Sequence, residues 1–345
     1  MFSKRSAKHA IVGLDLDPSH IAAAEVAVNG HVEVTRGATA ALRPGILRDG
    51  EVADPAALTD SLKAFFDEHD LPTRVRLGVA NQRIVVRTLD LPPLTDEKAL
   101  ASAVKVQAPD HIPMPMEEAV LDFQPLGLVD TPQGQRTRVV IVAVRREMVE
   151  KLARAARDAG LRVEGIDLSA FALVRALDVP PTEDARLYVH LAGLTNVAVA
   201  SAAGVLFTRA ASGGLDALVH QLSERRGLTL EHSRQWMAHV GLGTPLEDVD
   251  GEPEVIAATR VVLEEGVGQI ADTVRNSLNF YRMQEGAESV EDAVLCGPAL
   301  TIPGLAERLG ELLRLPVGVA AVAAPEDLDA AALTVAAGLA IEERV

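Results

Sequence analysis

One pattern occurs twice in this 345-residue chain and governs how it can fold. Ala10 to Asp17 reads as a buried strand ending in carboxylates and a Pro-Ser turn, Ile21 to Val28 as a second strand, and His31 to Thr35 as an alternating third. The turns Asp17-Pro18-Ser19 and Asn29-Gly30 suit two successive hairpins. Pro180-Pro181-Thr182-Glu183-Asp184 has the character of a domain boundary, and past it the same order returns. Strand Arg186 to Leu191 meets the small-residue turn Ala192-Gly193, strand Val197 to Ser201 meets the hairpin Ala203-Gly204, and strand Val205 to Arg209 follows. A repeated unit of this kind predicts two related α/β halves facing each other across a ligand cleft.

Between the repeats, Asp54-Pro55 reads as an N-cap followed by proline at the first helical position, with Leu58, Leu62, Phe65 and Phe66 on one stripe. Strands are expected at Val75 to Val79 and Ile84 to Leu89, and a second helix after Thr95. Three prolines between Pro109 and Met116 predict a rigid, non-helical connector. Strand Ala119 to Gln124 should pair with Val139 to Val144 across the loop from Asp130 to Arg136. Glu147 to Ala159 reads as an amphipathic helix closed by a left-handed Gly160. Strand Arg162 to Ile166 and a helix through Ala170 to Leu177 complete the first half. After the second repeat comes a helical block from Leu215 to Gln284, broken by the acidic loop Gly243 to Glu254. Strand Ala293 to Leu295, the turn at Cys296-Gly297-Pro298, a helix from Pro303 to Leu313 and a last helix, Ala331 to Glu342, end the chain.

Charge and composition narrow the function. Acidic residues outnumber basic ones 49 to 33, for a formal charge of -16, which argues against binding nucleic acid. The single cysteine, Cys296, excludes an internal disulfide and reads as a small buried hydrophobe. No run of apolar residues is long enough to span a bilayer, and the basic start (Lys4, Arg5, Lys8) lacks a signal peptide's apolar region, so a cytoplasmic chain without direct membrane insertion is expected. Those three cations serve surface solvation or a weak attraction to anionic lipid. The six lysines all lie at or before Lys151, so no ammonium serves the second half.

Several segments resemble the actin-like ATPase superfamily. Gly13-Leu14-Asp15-Leu16-Asp17-Pro18-Ser19 resembles its first phosphate motif, His190-Leu191-Ala192-Gly193-Leu194-Thr195-Asn196 lies where the second belongs, and Leu295-Cys296-Gly297-Pro298-Ala299 with Ile302-Pro303-Gly304-Leu305 resembles the adenosine motif. Within the superfamily the chain is most similar to the PilM family of type IV pilus assembly proteins, relatives of the cell-division protein FtsA. Val85 to Pro92, His111 to Met114, Leu121 to Gln124, Gly165 to Leu173, Thr208-Arg209 with Gly213-Gly214, and Ser277 to Tyr281 carry that likeness along the chain. It implies an α/β, actin-like (ribonuclease H-like) two-lobed fold with an inserted small α+β subdomain. The first lobe would comprise 8–36, 153–180 and a C-terminal helix at 331–345; the SHS2-like insert, 37–152; the second lobe, 186–214 and 290–330; its helical subdomain, 215–289.

The resemblance also implies ATP with Mg²⁺ near Asp15, Ser19, Gly193, Thr195, Asn196, Gly213, Gly214, Arg234, Gly297 and Pro298, with Asp15 holding Mg²⁺ through water. Glycines let backbone amides approach phosphates, and strand-end carboxylates hold hydrated Mg²⁺. The chain departs from that pattern at Asp17, where glycine is expected, at Ala22 and Met237, where lysines are expected, and at His190, where a carboxylate is expected. Asp17 is either a turn cap or a charge beside the phosphates, and His190 reads as a neutral, hydrogen-bonded core histidine. Arg234 is a candidate phosphate partner, since a guanidinium suits that geometry. The implied function is a non-enzymatic scaffold with a degenerate ATP site, peripheral to the inner membrane. It would bind the N-terminal cytoplasmic tail of a PilN-like single-span protein, with pilus motor ATPases as further partners. The surface expected for the tail includes Asn81, Arg83, Val85, Arg87, His111, Ile112 and Met114. The competing reading is a phosphotransferase or ATPase of the same superfamily, which needs a catalytic base that is not apparent.

Overall fold

The structure, a computed structural model, describes residues 11–94, 96–132, 134–177, 184–284 and 286–341. Strands β1 (Val12–Leu16), β2 (His20–Val28) and β3 (Val32–Ala41) form an antiparallel meander. A two-residue ribbon, β4 (Leu47–Arg48) with β5 (Glu51–Val52), leads into α1 (Pro55–His69). The Asp54 carboxylate starts α1 by accepting the Ala57 amide at 3.0 Å, and Pro55 occupies a first-turn position where no amide is needed. Strand β6 (Arg74–Val79) then lies parallel to β1.

A separate three-stranded sheet follows: β7 (Val85–Leu91), α2 (Glu97–Gln107), β8 (Ala119–Thr131) and β9 (Gly134–Arg145), in the antiparallel order β7-β9-β8. The chain returns through α3 (Arg146–Asp158), β10 (Arg162–Leu168) and α4 (Ser169–Leu177), giving a first large sheet of order β10-β6-β1-β2-β3.

The second half repeats this plan. Strands β11 (Ala185–Leu191), β12 (Thr195–Ser201) and β13 (Gly204–Ala211) form the meander, followed by α5 (Leu215–Arg226), α6 (Leu230–Val240) and the long α7 (Pro253–Arg282). Strand β14 (Val290–Cys296), α8 (Leu305–Leu313) and β15 (Val317–Val319) complete a sheet of order β13-β12-β11-β14-β15, and α9 (Ala330–Ala340) ends the described chain.

Two helices join the halves. Ala170, Ala172 and Leu173 of α4 and Val335 and Leu339 of α9 share one core with Tyr188, Ala198, Val294 and Cys296 of the second sheet. Helix α9 is buried from Ala332 to Ala340, as an element enclosed on all sides must be apolar all round. It meets α4 backbone to backbone: a Cβ on Gly338 would lie 1.8 Å from the Ala172 carbonyl oxygen.

Several expectations change. The stretch 37–152 is not one inserted unit, because β3 runs to Ala41 in the first large sheet and β6 pairs there with β1 and β10. Val75 and Leu77 are fully buried between parallel partners, and α1 packs through Leu58, Leu62, Phe65 and Phe66 into the same core. The small sheet itself spans only β7 to β9. The Pro109 connector begins as a 3-10 turn, Ala108–Asp110, because proline fits a first helical turn. The boundary residues Pro180 to Glu183, the cations Lys4, Arg5 and Lys8, Thr95, and the end of the last helix beyond Ile341 lie outside the described residues.

The α4–α9 contact yields a stability prediction. Gly338→Ala should cost about 3 kcal/mol or more. Gly268→Ala, in α7 with nothing within 4 Å of the new methyl, should gain up to about 1 kcal/mol. Urea unfolding of both variants checks this, and equal effects would contradict the packing argument.

Candidate functional site

The turns β1–β2 and β11–β12 face each other where the halves meet, and Asp17 spans the gap. Its Oδ1 accepts the Ser19 amide at 2.9 Å and the Ser19 hydroxyl at 2.5 Å on its own turn. Across the cleft Oδ1 accepts the Gly193 amide at 3.0 Å, and Oδ2 accepts the Leu194 amide at 3.3 Å. Successive amides in a small-residue turn make an anion-binding concavity, and here a carboxylate of the chain occupies it. Only glycine fits opposite: a Cβ on Gly193 would lie 2.2 Å from Asp17 Oδ1. Asp17 caps its turn, as one of the two readings has it, and also joins the halves.

Four further titratable groups lie nearby: Asp15, His20, His190 and Cys296. Burial pushes the Asp15 carboxyl up to about 6, against the opposing charge of His20 and the Ser169 hydroxyl, which donates to Oδ1 at 3.2 Å. Burial would raise Asp17 as well, but the His20 ring and the Ser19 donors outweigh it and hold the carboxyl at about 2. Burial lowers His20, yet Asp17 more than compensates, and the ring stays above its ordinary value. Its Nδ1 lies 3.1 Å from the Ser19 hydroxyl and 3.5 Å from Asp17 Oδ1. Burial takes His190 down to about 4, so it is neutral, but neither ring nitrogen meets a partner among the described residues. The expected hydrogen bonding of His190 is therefore corrected: the ring packs against the Gly297 backbone, and Asp17 and His20 act on it only through space. Cys296 is buried, and burial raises its thiol.

Beside this latch opens a cavity of about 310 Å³, at the small end for small-molecule pockets. Ser19, His20, Glu231, Arg234, Met237, Pro298 and Asp329 line it. Ala22 and Met237 are wholly buried. Arg234 reaches the cavity but donates to Asp216 Oδ1 at 3.1 Å. Gly214 packs on the β11–β12 turn, where a Cβ would lie 2.4 Å from the Ala192 carbonyl oxygen, and Gly213 precedes it in a left-handed conformation. Thr195 and Asn196 do not line this cavity, because both are buried in β12, and Asn196 faces a small gap shared with Asn81 and Arg209. Asp15 lies behind the latch against Ser169 and Gly78, and among the described residues no group of three acidic, His or Cys side chains could hold a metal.

The surface expected for a partner divides. Arg83, Val85, Arg87 and Met114 line a groove of about 540 Å³ between β7 and β13. Asn81 is instead a buried loop brace that donates to the Asp49 carbonyl at 2.6 Å and accepts the Arg83 amide at 2.6 Å. Ile112 is buried in the small sheet's core, and His111 is exposed outside the groove. A second groove, about 290 Å³, lies between β8 and β10, outside the residues expected for a partner. Val120, Phe123, Val142, Ile166, Leu168 and Phe171 line it with Asp122 and Asp167. Its sequence signal was available: Leu121 to Gln124 and Gly165 to Leu173 both carried the family likeness.

The raised Asp15 carboxyl gives a pH prediction. A group raised in the folded state stabilises fully below its ordinary value of 3.8 and loses that contribution as pH rises through about 6. Asp15→Asn should therefore leave stability nearly unchanged at pH 4 and raise it by about 2 kcal/mol at pH 7.5. Denaturant unfolding at the two pH values reads this, and an equal effect at both would overturn it.

With this geometry in hand, the likeness to known proteins is specific. A model of the type IV pilus assembly protein PilM family matches residues 13–343. A solved PilM-PilN type IV pilus biogenesis complex contains a chain 25% identical, aligned over 96% of this chain and 98% of that one at a TM-score of 0.77. The ethanolamine utilization protein EutJ from Carboxydothermus hydrogenoformans is 15% identical over 97% of this chain and 90% of that one, at a TM-score of 0.55. MreB5 of Spiroplasma citri bound to ADP is 13% identical over 96% and 95%, at 0.56. The last two share the fold alone. The chain has the actin-like fold and belongs to the type IV pilus assembly protein PilM family.

Proposed function

We propose that this protein is a cytoplasmic scaffold that captures the N-terminal tail of a PilN-like single-span membrane protein in the groove between β8 and β10. The observation that carries this is the groove's construction. Strand β8 is an outer strand of the small sheet and β10 an outer strand of the first large sheet, so each has a backbone edge unpaired within its sheet. Such edges accept an extended peptide by main-chain pairing, while the valine and phenylalanine floor takes alternate side chains. The exposed Asp122 at the wall suits a tail rich in lysine and arginine, as cytoplasmic segments next to a membrane span are, while Asp167 beside it is paired with Arg175. No helix among the described residues is long and apolar enough to cross a membrane, so the partner would supply the anchor.

The same reading makes the cleft a joint rather than a nucleotide site. ATP and Mg²⁺ do not fit the residues present: the Asp17 carboxylate already holds the amides of Gly193 and Leu194, and Glu231 and Asp329 add negative charge to the cavity. Of the cations lining it, Arg234 is engaged by Asp216 and His20 faces Asp17. Neither a hydrolytic step nor a phosphotransfer is assigned.

Two measurements test these points. Fluorescence anisotropy with a labelled peptide of the first ~20 residues of the PilN-like protein should show binding that Val120→Arg weakens roughly tenfold or more. Val120 is an exposed edge residue, so the variant should keep the wild-type melting temperature; unchanged affinity would refute the groove. In thermal-shift assays with millimolar Mg-ADP, the wild type should not respond. A clear shift in the wild type would restore the nucleotide reading.

A further inference from the structure

The small sheet presents both of its edges, and the two grooves they border have opposite charge. Strand β7 is its other outer strand, and β13 is an outer strand of the second large sheet. They approach closely where Thr88 Oγ1 lies 3.5 Å from the Leu206 carbonyl oxygen, then diverge to leave the groove of about 540 Å³. Four arginines line it, Arg83, Arg87, Arg145 and Arg209, and no Asp or Glu does. In a chain of net charge -16 this is the reverse of the average surface.

Two of these cations are held in place. Arg83 pairs with Glu51 at 3.0 Å, and Arg87 donates to the Val86 carbonyl at 2.8 Å while its guanidinium lies 5.7 Å from the Phe280 ring centre. Arg145 and Arg209 are exposed and form no ion pair among the described residues. Phe280, itself 44% exposed, and the buried Phe207 supply apolar contact beside them.

We propose that this groove is a second docking site, distinct from the one between β8 and β10, and that it takes an extended acidic peptide bearing apolar side chains. Guanidinium forks pair carboxylates bidentately, which fits Arg145 and Arg209 to acidic side chains. The unpaired edges of β7 and β13 offer main-chain bonds, and Phe207 and Phe280 receive the residues between the charges. Charge complementarity selects the occupant: the basic tail favoured by the exposed Asp122 is repelled here. A nucleic acid would meet the arginines but also the long-range repulsion of a strongly acidic molecule. The small sheet would then hold two partners of opposite charge, one on each edge.

The test uses the full chain and two labelled hexapeptides, one alternating Glu and Leu and the other alternating Lys and Leu. The acidic peptide should bind with an affinity that falls as salt rises, and the basic peptide should not compete for the same site. Arg145→Glu with Arg209→Glu should weaken the acidic peptide roughly tenfold or more, and leave capture of the PilN-like tail unchanged. Both substitutions are on exposed side chains, and the unchanged tail affinity reports an intact fold. Failure of the acidic peptide to bind, or indifference to the double reversal, overturns the proposal. Tighter binding of a labelled single-stranded oligonucleotide than of the acidic peptide would overturn it in favour of a polyanion site. Loss of tail binding in the wild type would refute the first groove alone.

Discussion

Helices α4 and α9 touch without side chains between them, at Ala172 and Gly338, and this contact sets the spacing of both large sheets. A pair of helices that close is thin enough for Tyr188, Ala198 and Val294 of the second sheet to reach α4 and α9 directly. Interiors are packed like crystals, so a methyl group at the crossing would be felt on both sides. The cleft geometry follows from that spacing. It brings the β1–β2 turn within hydrogen-bond reach of the β11–β12 turn, and Asp17 needs that reach.

The charges at the joint depend on one another. Two carboxylates two residues apart on one short segment, both buried, do not ionise over the same pH range. The structure resolves this by giving nearly all the donors to Asp17: two amides across the cleft, the Ser19 amide and hydroxyl, and the His20 ring. Asp15 keeps the Ser169 hydroxyl and holds its proton up to about pH 6. The site is a matched set of charges, and His190, buried and neutral, belongs to the core beside it.

Much of the fold was legible because its signals are local. The doubled meander, the Asp54-Pro55 helix start and the left-handed glycines are each written in a few adjacent residues. Sheet membership was not, since β6 looks like any apolar strand, and only its parallel pairing with β1 and β10 separates it from the small sheet. The residues expected for a partner do not all lie together for the same reason: Asn81 and Ile112 stand near Arg83 and Met114 in sequence but are consumed as a brace and as core. The role of Asp17 needed the partner amides, 176 positions away, which no local motif contains.

A carboxylate built into the chain differs from a bound nucleotide in kinetics as much as in affinity. Asp17 is tethered next to the amides it bonds, so its effective concentration there is on the order of millimolar or higher and independent of any cellular pool. It can swing away but cannot diffuse away, and nothing is consumed when it returns. Closing this joint by itself therefore draws on no pool and sets no time limit. In a scaffold so built, the lifetime of an assembly is set by how fast its partners dissociate.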